Sequence, residues 1–377
     1  MKLSCLQENL SKGLGIVGRA VATRTTLPIT NNVLLTTEKS RLKLAATNLE
    51  IAISCWLGAK VAEEGAITIP ARLLTDFVNS LPNDRIDMTL SPKTRTLELK
   101  CARFEGRING IEAEEFPPIP SIGEGVATRI DPEALRLAIA QVVFAAATEE
   151  MRPVLTGVLS EFDGGTLTLA AADGFRLAVH KAPLAKPVAE KTEVIIPARA
   201  LTELQRLLTD QEGAVELTIN PNKSQVLFRL KDVEIVSQLI QGTFPNYNQL
   251  IPQSYVTRAE MSLAEFIKAT KTASIFAREG SAIVRIQITP GEEGGPGKIV
   301  LAARAEEVGD NVGEVDATVE GEEAKIAFNS KYLSDVLGVL HQERVALETT
   351  SPSSPGVIRP VGVDNYIHVV MPMFVQW

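Results

Sequence analysis

The residues with the widest chemical repertoire are few and scattered. The three histidines, His180, His341 and His368, stand in different parts of the chain with no ligand-like spacing, so no metal centre is expected. Cys5, Cys55 and Cys101 form no C-x-x-C pair. Neither a disulfide framework nor a zinc site is indicated, and a reducing compartment is the simplest reading. Gly-x-Gly-x-x-Gly, Gly-x-x-x-x-Gly-Lys-Ser/Thr and Gly-x-Ser-x-Gly are all absent. Asp173-Gly174 and Asp364-Asn365 read first as turn residues. No catalytic residue and no cofactor is called for, and the chemistry on offer is recognition.

The elements that would carry such recognition repeat along the chain. Ile69-Pro70-Ala71-Arg72-Leu73-Leu74 returns as Ile196-Pro197-Ala198-Arg199-Ala200-Leu201, 127 positions on. Glu115-Phe116-Pro117 returns as Thr243-Phe244-Pro245, and Ala46–Ala52 aligns with Ala171–Leu177. A more worn third copy has Phe328-Asn329-Ser330-Lys331-Tyr332-Leu333 in the place of Ile69–Leu74. Between its first strands sits a Gly/Glu/Pro-rich insertion, 290–297, which reads as a loop. Three domains follow, 1–122, 123–252 and 253–377, with boundaries at proline-rich endings.

Each copy has the same internal order. An amphipathic helix comes first. Its stripe is Leu10, Leu14, Val17 and Val21 in copy one, and Leu135, Ala138, Ile139 and Val142 in copy two. In copy three Ser262 and Glu265 form a capping box before Phe266, Ile267 and Thr270. Strands follow, then a second helix just after each Ile-Pro-Ala-Arg element, then more strands. Runs of strands with two separated helices argue an α+β fold of antiparallel sheets.

At 377 residues the chain exceeds one hydrophobic core. Its net charge is −8, from 46 acids against 38 bases, so a bulk basic signature for nucleic acid is absent. Nucleic-acid binding therefore requires the bases to be segregated on one surface. No stretch approaches the roughly 18 apolar residues of a membrane span, and the first residues lack a signal-peptide core. A cytoplasmic protein without membrane contact is expected.

Thr26-Leu27-Pro28-Ile29, the two Ile-Pro-Ala-Arg elements, Ala172–Ala178, Phe244-Pro245-Asn246-Tyr247 and Tyr366–Met373 together resemble the bacterial sliding clamp, the beta subunit of the replicative DNA polymerase. The resemblance spans the whole chain and includes the triple repeat. It implies a head-to-tail homodimer forming a ring, with twelve helices lining a hole. Helices about 10 Å across leave an opening on the order of 25–30 Å, wide enough for duplex DNA. It also implies binding to duplex DNA without sequence specificity, and to the polymerase catalytic subunit, the clamp loader and other proteins carrying a clamp-binding motif.

Repeat-equivalent bases support segregation. Arg72, Arg199 and Lys331 open the second helices; Lys12 and Arg19 lie on the first helix of copy one, Lys268 and Lys271 on that of copy three. Loose phosphate contact without base readout would permit sliding. The alternative is that Arg72 and Arg199 only cap or solubilise helices. The resemblance adds Arg24 and Arg152, the latter in a loop whose Glu149 and Glu150 depart from what phosphate contact prefers.

The resemblance places a partner-peptide groove at Leu155, Ala172, Gly174, Arg176, Leu177, Pro245, Ser354, Val369, Met371, Pro372 and Met373. Gly174 lets the backbone come close, Arg176 holds a polar group at the rim, and adaptable methionines suit many partners. The alternative for Leu155, Leu177 and Val369 is ordinary core. Phe374–Trp377 extends beyond the methionine pair, where it can fill part of the groove. Ring closure is expected to join Phe104 and Ile108 to Ile275 and Phe276, with Arg103 and Arg107 facing Glu306 and Glu307. Phe276 as plain core is the alternative. Two other functions compete: a scaffold of the same fold that no longer encircles DNA, and an enzyme, which the missing motifs disfavour.

Overall fold

The computed structural model describes all residues except 23, 24, 150, 293 and 294. Arg24 and Glu150 therefore lie outside the described residues, as does part of the loop 290–297. The chain divides into two compact units. One comprises 1–133, 184–190 and 199–239; the other comprises 134–183, 191–198 and 240–377.

Six α-helices are found among the described residues, two in each repeat: α1 (Gln7–Val17), α2 (Ala71–Ser80), α3 (Pro132–Val142), α4 (Ala198–Leu207), α5 (Leu263–Arg278) and α6 (Ser330–Leu337). Helix α3 buries the expected stripe of Leu135, Ala138, Ile139 and Val142. Helix α1 buries Leu10, Leu14 and Val17 but stops there; a 3-10 turn over Gly18–Ala20 intervenes, and Val21 falls outside. At the start of α5 the Ser262 hydroxyl accepts from the Glu265 N–H at 3.4 Å, closing the N-cap of a helix that buries Phe266 and Thr270.

The sheets are antiparallel, as the alternating strands require. In the first unit Asn32–Glu38 pairs with both Arg41–Thr47 and Ala66–Pro70, and Arg41–Thr47 pairs with Ile51–Gly58. The second unit holds the same four-strand pattern twice. It recurs in Gly157–Asp163, Thr166–Ala172, Arg176–Lys186 and Thr192–Pro197, and again in Ile283–Thr289, Gly297–Ala305, Gly309–Gly321 and Ala324–Asn329.

After each second helix come three more strands. The last of them is the one that joins copies. In the first unit Val233–Gln238 of copy two pairs with Ile51–Gly58 of copy one. In the second, Tyr366–Val370 of copy three pairs with Arg176–His180 of copy two. One such strand is left over. Among the described residues, Phe104–Asn109 pairs only with Thr96–Cys101, and residues 309–316 pair only with the 297–305 strand.

Two of the three histidines are structural. In the second unit His180 Nδ1 lies 2.7 Å from Gln141 Oε1, whose amide nitrogen donates to the Val339 carbonyl at 3.1 Å. His368 stacks on Phe144, and its Nδ1 sits 3.4 Å from the Tyr366 hydroxyl. Burial lowers the pKa of His180 to about 4. Burial, helped by the Arg176 charge, lowers that of His368 to about 3. The three cysteines are buried; desolvation pushes Cys5 up to about 12 and Cys55 to about 11, so these thiols stay protonated and unreactive.

The two buried histidines make stability depend on pH with a defined sign. Both are neutral when folded, whereas an unfolded imidazole takes a proton below about pH 6.5. Their contribution is thus fully present above about pH 6.5 and is lost as pH falls toward the folded values of about 4 and about 3. The urea midpoint should drop between pH 7 and pH 5.5, and the double variant His180→Gln, His368→Phe should show a shallower drop. Equal slopes for the two proteins would contradict this account.

Candidate partner groove and nucleic-acid interface

The turn that opens the expected groove is built by Asp173. Its Oδ1 accepts from the Phe175 N–H at 2.9 Å and from the Arg176 N–H at 3.0 Å. The arrangement carries Gly174 into the left-handed region at φ +94. A Cβ there would lie 3.2 Å from Arg152 Nη1, so glycine also permits Arg152 to cross close over the turn. Copy one makes the same turn with Asn48, but holds Leu49 at φ +77, a conformation costly for a residue with a Cβ.

Beside this turn opens a cavity of about 620 Å³ in the second unit. Ala146, Ala147, Thr148, Glu149, Met151, Arg152, Leu155, Asp173, Phe175, Arg176, Lys331 and Tyr332 line it. Of the residues expected in the groove, Leu155 and Arg176 face this cavity. Ala172, Leu177 and Val369 lie beneath it with Leu155, in a core cluster that includes Phe244 and Tyr247. Met371 is exposed and its N–H donates to the Phe175 carbonyl at 2.8 Å, which ties it to the cavity's edge. Pro372 is buried, Met373 half-buried and Pro245 exposed. Ser354 is held in a serine cluster, its N–H donating to the Ser351 carbonyl at 3.2 Å.

Arg176 departs from its expected place at the rim. Its side chain is 7% exposed and engaged on every side. Nε donates to Asp173 at 3.0 Å, Nη1 to Asp335 at 2.7 Å and Nη2 to the Phe144 carbonyl at 2.7 Å. The guanidinium also lies 4.4 Å from the Tyr332 ring centroid and 5.3 Å from that of Phe144. It is a tie inside the site, joining the turn of copy two to helix α6 of copy three. A buried guanidinium needs this many partners, because leaving one donor unpaired is costly.

Three lining residues escape motif reading. Phe175 is 60% exposed, stacks on Tyr332 at 6.5 Å, and neighbours Met151, 88% exposed. Exposed apolar side chains grouped at a cavity mouth mark a binding surface. A signal for Phe175 did exist: aromatics are only 5% of the chain, and copy one has Glu50 in its place. Desolvation, aided by the Asp173 charge, raises the Tyr332 pKa, so its hydroxyl remains a donor.

Among the described residues, the expected basic residues are exposed. Arg72, Arg199 and Lys331 each occupy the second position of α2, α4 and α6. A cation there opposes the helix dipole, so helix stabilisation does not account for the repetition. Lys268 and Lys271 lie on the solvent face of α5, opposite Phe266 and Thr270. Some charges are shared: Lys12 sits 3.4 Å from Asp210, Arg19 3.3 Å from Glu203, Arg72 3.8 Å from Asp76 and Lys331 2.6 Å from Asp335. Arg152 and Lys331 line the cavity as well.

At the unpaired strand edges, Phe104 and Ile275 are more than half exposed, as are Val308 and Val312, and Phe276 is half-buried against Gly309. Ile108 is buried within the chain. It points the same way as Gly106, on the face that α2 covers through Phe77. Arg103, Arg107, Glu306 and Glu307 are exposed.

The N-terminal, central and C-terminal domains of the DNA polymerase III beta subunit match residues 1–120, 129–246 and 248–374. The chain is 34% identical to the beta sliding clamp of Synechocystis sp. and 31% identical to that of Bacillus subtilis, covering 99% of both chains in each case. Its fold superposes on the DNA polymerase sliding clamp of Bacillus subtilis with a TM-score of 0.94 at 30% identity over 100% of both chains. It superposes on the DNA polymerase III subunit beta of Pseudomonas aeruginosa at 0.90 and 30% identity, again over 100% of both. This chain therefore belongs to the beta sliding clamp family, the non-catalytic beta subunits of DNA polymerase III.

Proposed function

We propose that two copies of this chain close head to tail into a ring around duplex DNA and that one groove per chain tethers the polymerase, the clamp loader and other motif-bearing partners. The chain then serves as a processivity factor in the cytoplasm, at the nucleoid during replication. Its three repeats, bounded near 122 and 252, act as domains.

The observation that carries the ring is the unused pairing. Two junctions within the chain join the last strand of one copy to the third strand of the copy before it. Phe104–Asn109 and residues 309–316 are the halves of a third such junction, free to meet across two chains. Carrying over the register of the internal junctions sets Ile108 opposite Gly309 and Phe104 opposite Gly313 of a second copy. Gly313 has no side chain to oppose the Phe104 ring. The same register sets Arg107 opposite Asp310 and Arg103 opposite Glu314, while Glu306 and Glu307 stay in the preceding turn. Unlike charges at an interface rim fix register more than affinity.

Exposed Arg199, Lys268 and Lys271, with Lys12, Arg19, Arg72, Arg152 and Lys331, are the phosphate contacts in this reading; Arg24 joins them by family resemblance alone. Several share their charge with nearby acids, which suits a protein that must slide rather than grip. The cavity edged by Phe175, Tyr332, Met151 and Met371 receives the apolar anchors of a short partner peptide.

Four experiments test these parts separately. Because the native thiols are buried, the variant Arg107→Cys, Asp310→Cys should oxidise to a covalent species of twice 40.7 kDa, and each single variant should not. Absence of the cross-linked dimer would overturn the register. Loaded onto nicked circular DNA the protein should be retained, and linearising the circle should release it; equal loss from both would exclude encirclement. Changing Arg199, Lys268 and Lys271 to Glu should lower the slope of log affinity against log salt by about 0.9 for each phosphate no longer neutralised. Finally, Phe175→Ala should weaken binding of a peptide bearing a glutamine and two apolar anchors about tenfold or more. Unchanged calorimetric affinity would move the groove elsewhere.

A further inference from the structure

Phe374–Trp377 does not line the cavity it was expected to fill in part. Phe374, Val375 and Gln376 instead line a separate cavity, over the solvent-facing side of the third copy's four-strand sheet. The chain crosses to it in two steps. Met371 N–H donates to the Phe175 carbonyl, on the groove, and Met373 N–H donates to the Ala327 carbonyl, on the sheet; both bonds measure 2.8 Å. Pro372, between them, is buried.

The sheet is shaped for such a crossing. Ala327, Arg285, Ala302 and Val312 stand directly opposite one another on four adjacent strands. Their side chains share the solvent-facing side, because Ile326 and Phe328 point into the core. Two alanines make that row a shallow trough. Ala327 is nonetheless fully buried, which an outward alanine achieves only when something covers it. Farther along, the Trp377 ring lies 5.9 Å from both the Arg285 guanidinium and the Lys325 ammonium. A tryptophan face beside two cations is held electrostatically as well as by contact.

We propose that Met371–Trp377 is a strap and that Trp377 is a positioning residue for the partner groove. By closing on Arg285 and Lys325 it fixes the extended path of Met371 and Met373, and through the Met371–Phe175 bond it steadies the groove's aromatic edge. The inference rests on the groove reading above: the tail beyond Met373 supports partner binding from outside the cavity, so shortening the chain there weakens binding.

The test uses the full-length dimer and a fluorescein-labelled peptide with one glutamine and two apolar anchors, followed by anisotropy. Trp377→Ala should weaken binding about three- to tenfold, with dimer mass and thermal midpoint unchanged, since the ring is half exposed. Trp377→Tyr should recover much of the loss. Arg285→Gln with Lys325→Gln should reproduce it, and adding Trp377→Ala in that background should cost little more. Unchanged or tighter binding by Trp377→Ala overturns the strap, as does a loss of affinity matched by a loss of thermal stability. Failure of the unaltered protein to bind the peptide would instead sink the groove assignment.

Discussion

An edge strand presents a row of backbone N–H and C=O groups that must find partners, and an unsatisfied edge invites unwanted association. This chain resolves its edges by a single device used twice. The last strand of one copy adds to the third strand of the copy before it, at 233–238 and again at 366–370. Each junction continues one sheet into the next copy, so the repeats are joined by backbone hydrogen bonds as well as by side-chain packing. The device cannot be satisfied within one chain: three copies have three donor strands and three acceptor strands but only two internal junctions. A head-to-tail contact with a second copy would satisfy both leftover edges.

The second junction also builds the groove. Arg176 begins the acceptor strand there, and the same residue is tied to Asp335 of α6. Breaking such a buried pair would leave an uncompensated charge, at a cost of about 3–5 kcal/mol. The guanidinium thus serves geometry, and recognition passes to the residues around it. Phe175 and Met151 are exposed, and Tyr332 keeps its phenol protonated through desolvation. In the first junction Ile51 takes the place of Arg176, and Glu203, at the position of Asp335, is held instead by Arg19 of copy one at 3.3 Å.

Much of this was legible in residue order. The repeat announced the architecture, the Ile-Pro-Ala-Arg elements located the second helices, and the absence of catalytic motifs pointed to recognition. What escaped was set by contacts distant in sequence. Arg176 looks like a rim residue until Asp335, 159 positions away, is seen to hold it. Nothing near Ile108 in sequence reveals that α2, through Phe77, covers the face it shares with Gly106. Phe175 and Tyr332 come from different copies and become one stacked pair only in the fold. The path of Phe374–Trp377 depends on Arg285 and Lys325, charges with no local signature.

The unpaired edges at 104–109 and 309–316 belong to one chain, so a dimer closed through them has two identical contacts. Once the first contact forms, the second is an intramolecular event, governed by effective concentration instead of by the concentration of free chains. Ring persistence then exceeds what either contact would give alone. Opening one contact need not release the other, so two chains held at a single seam stay together long enough to reclose without dissociating.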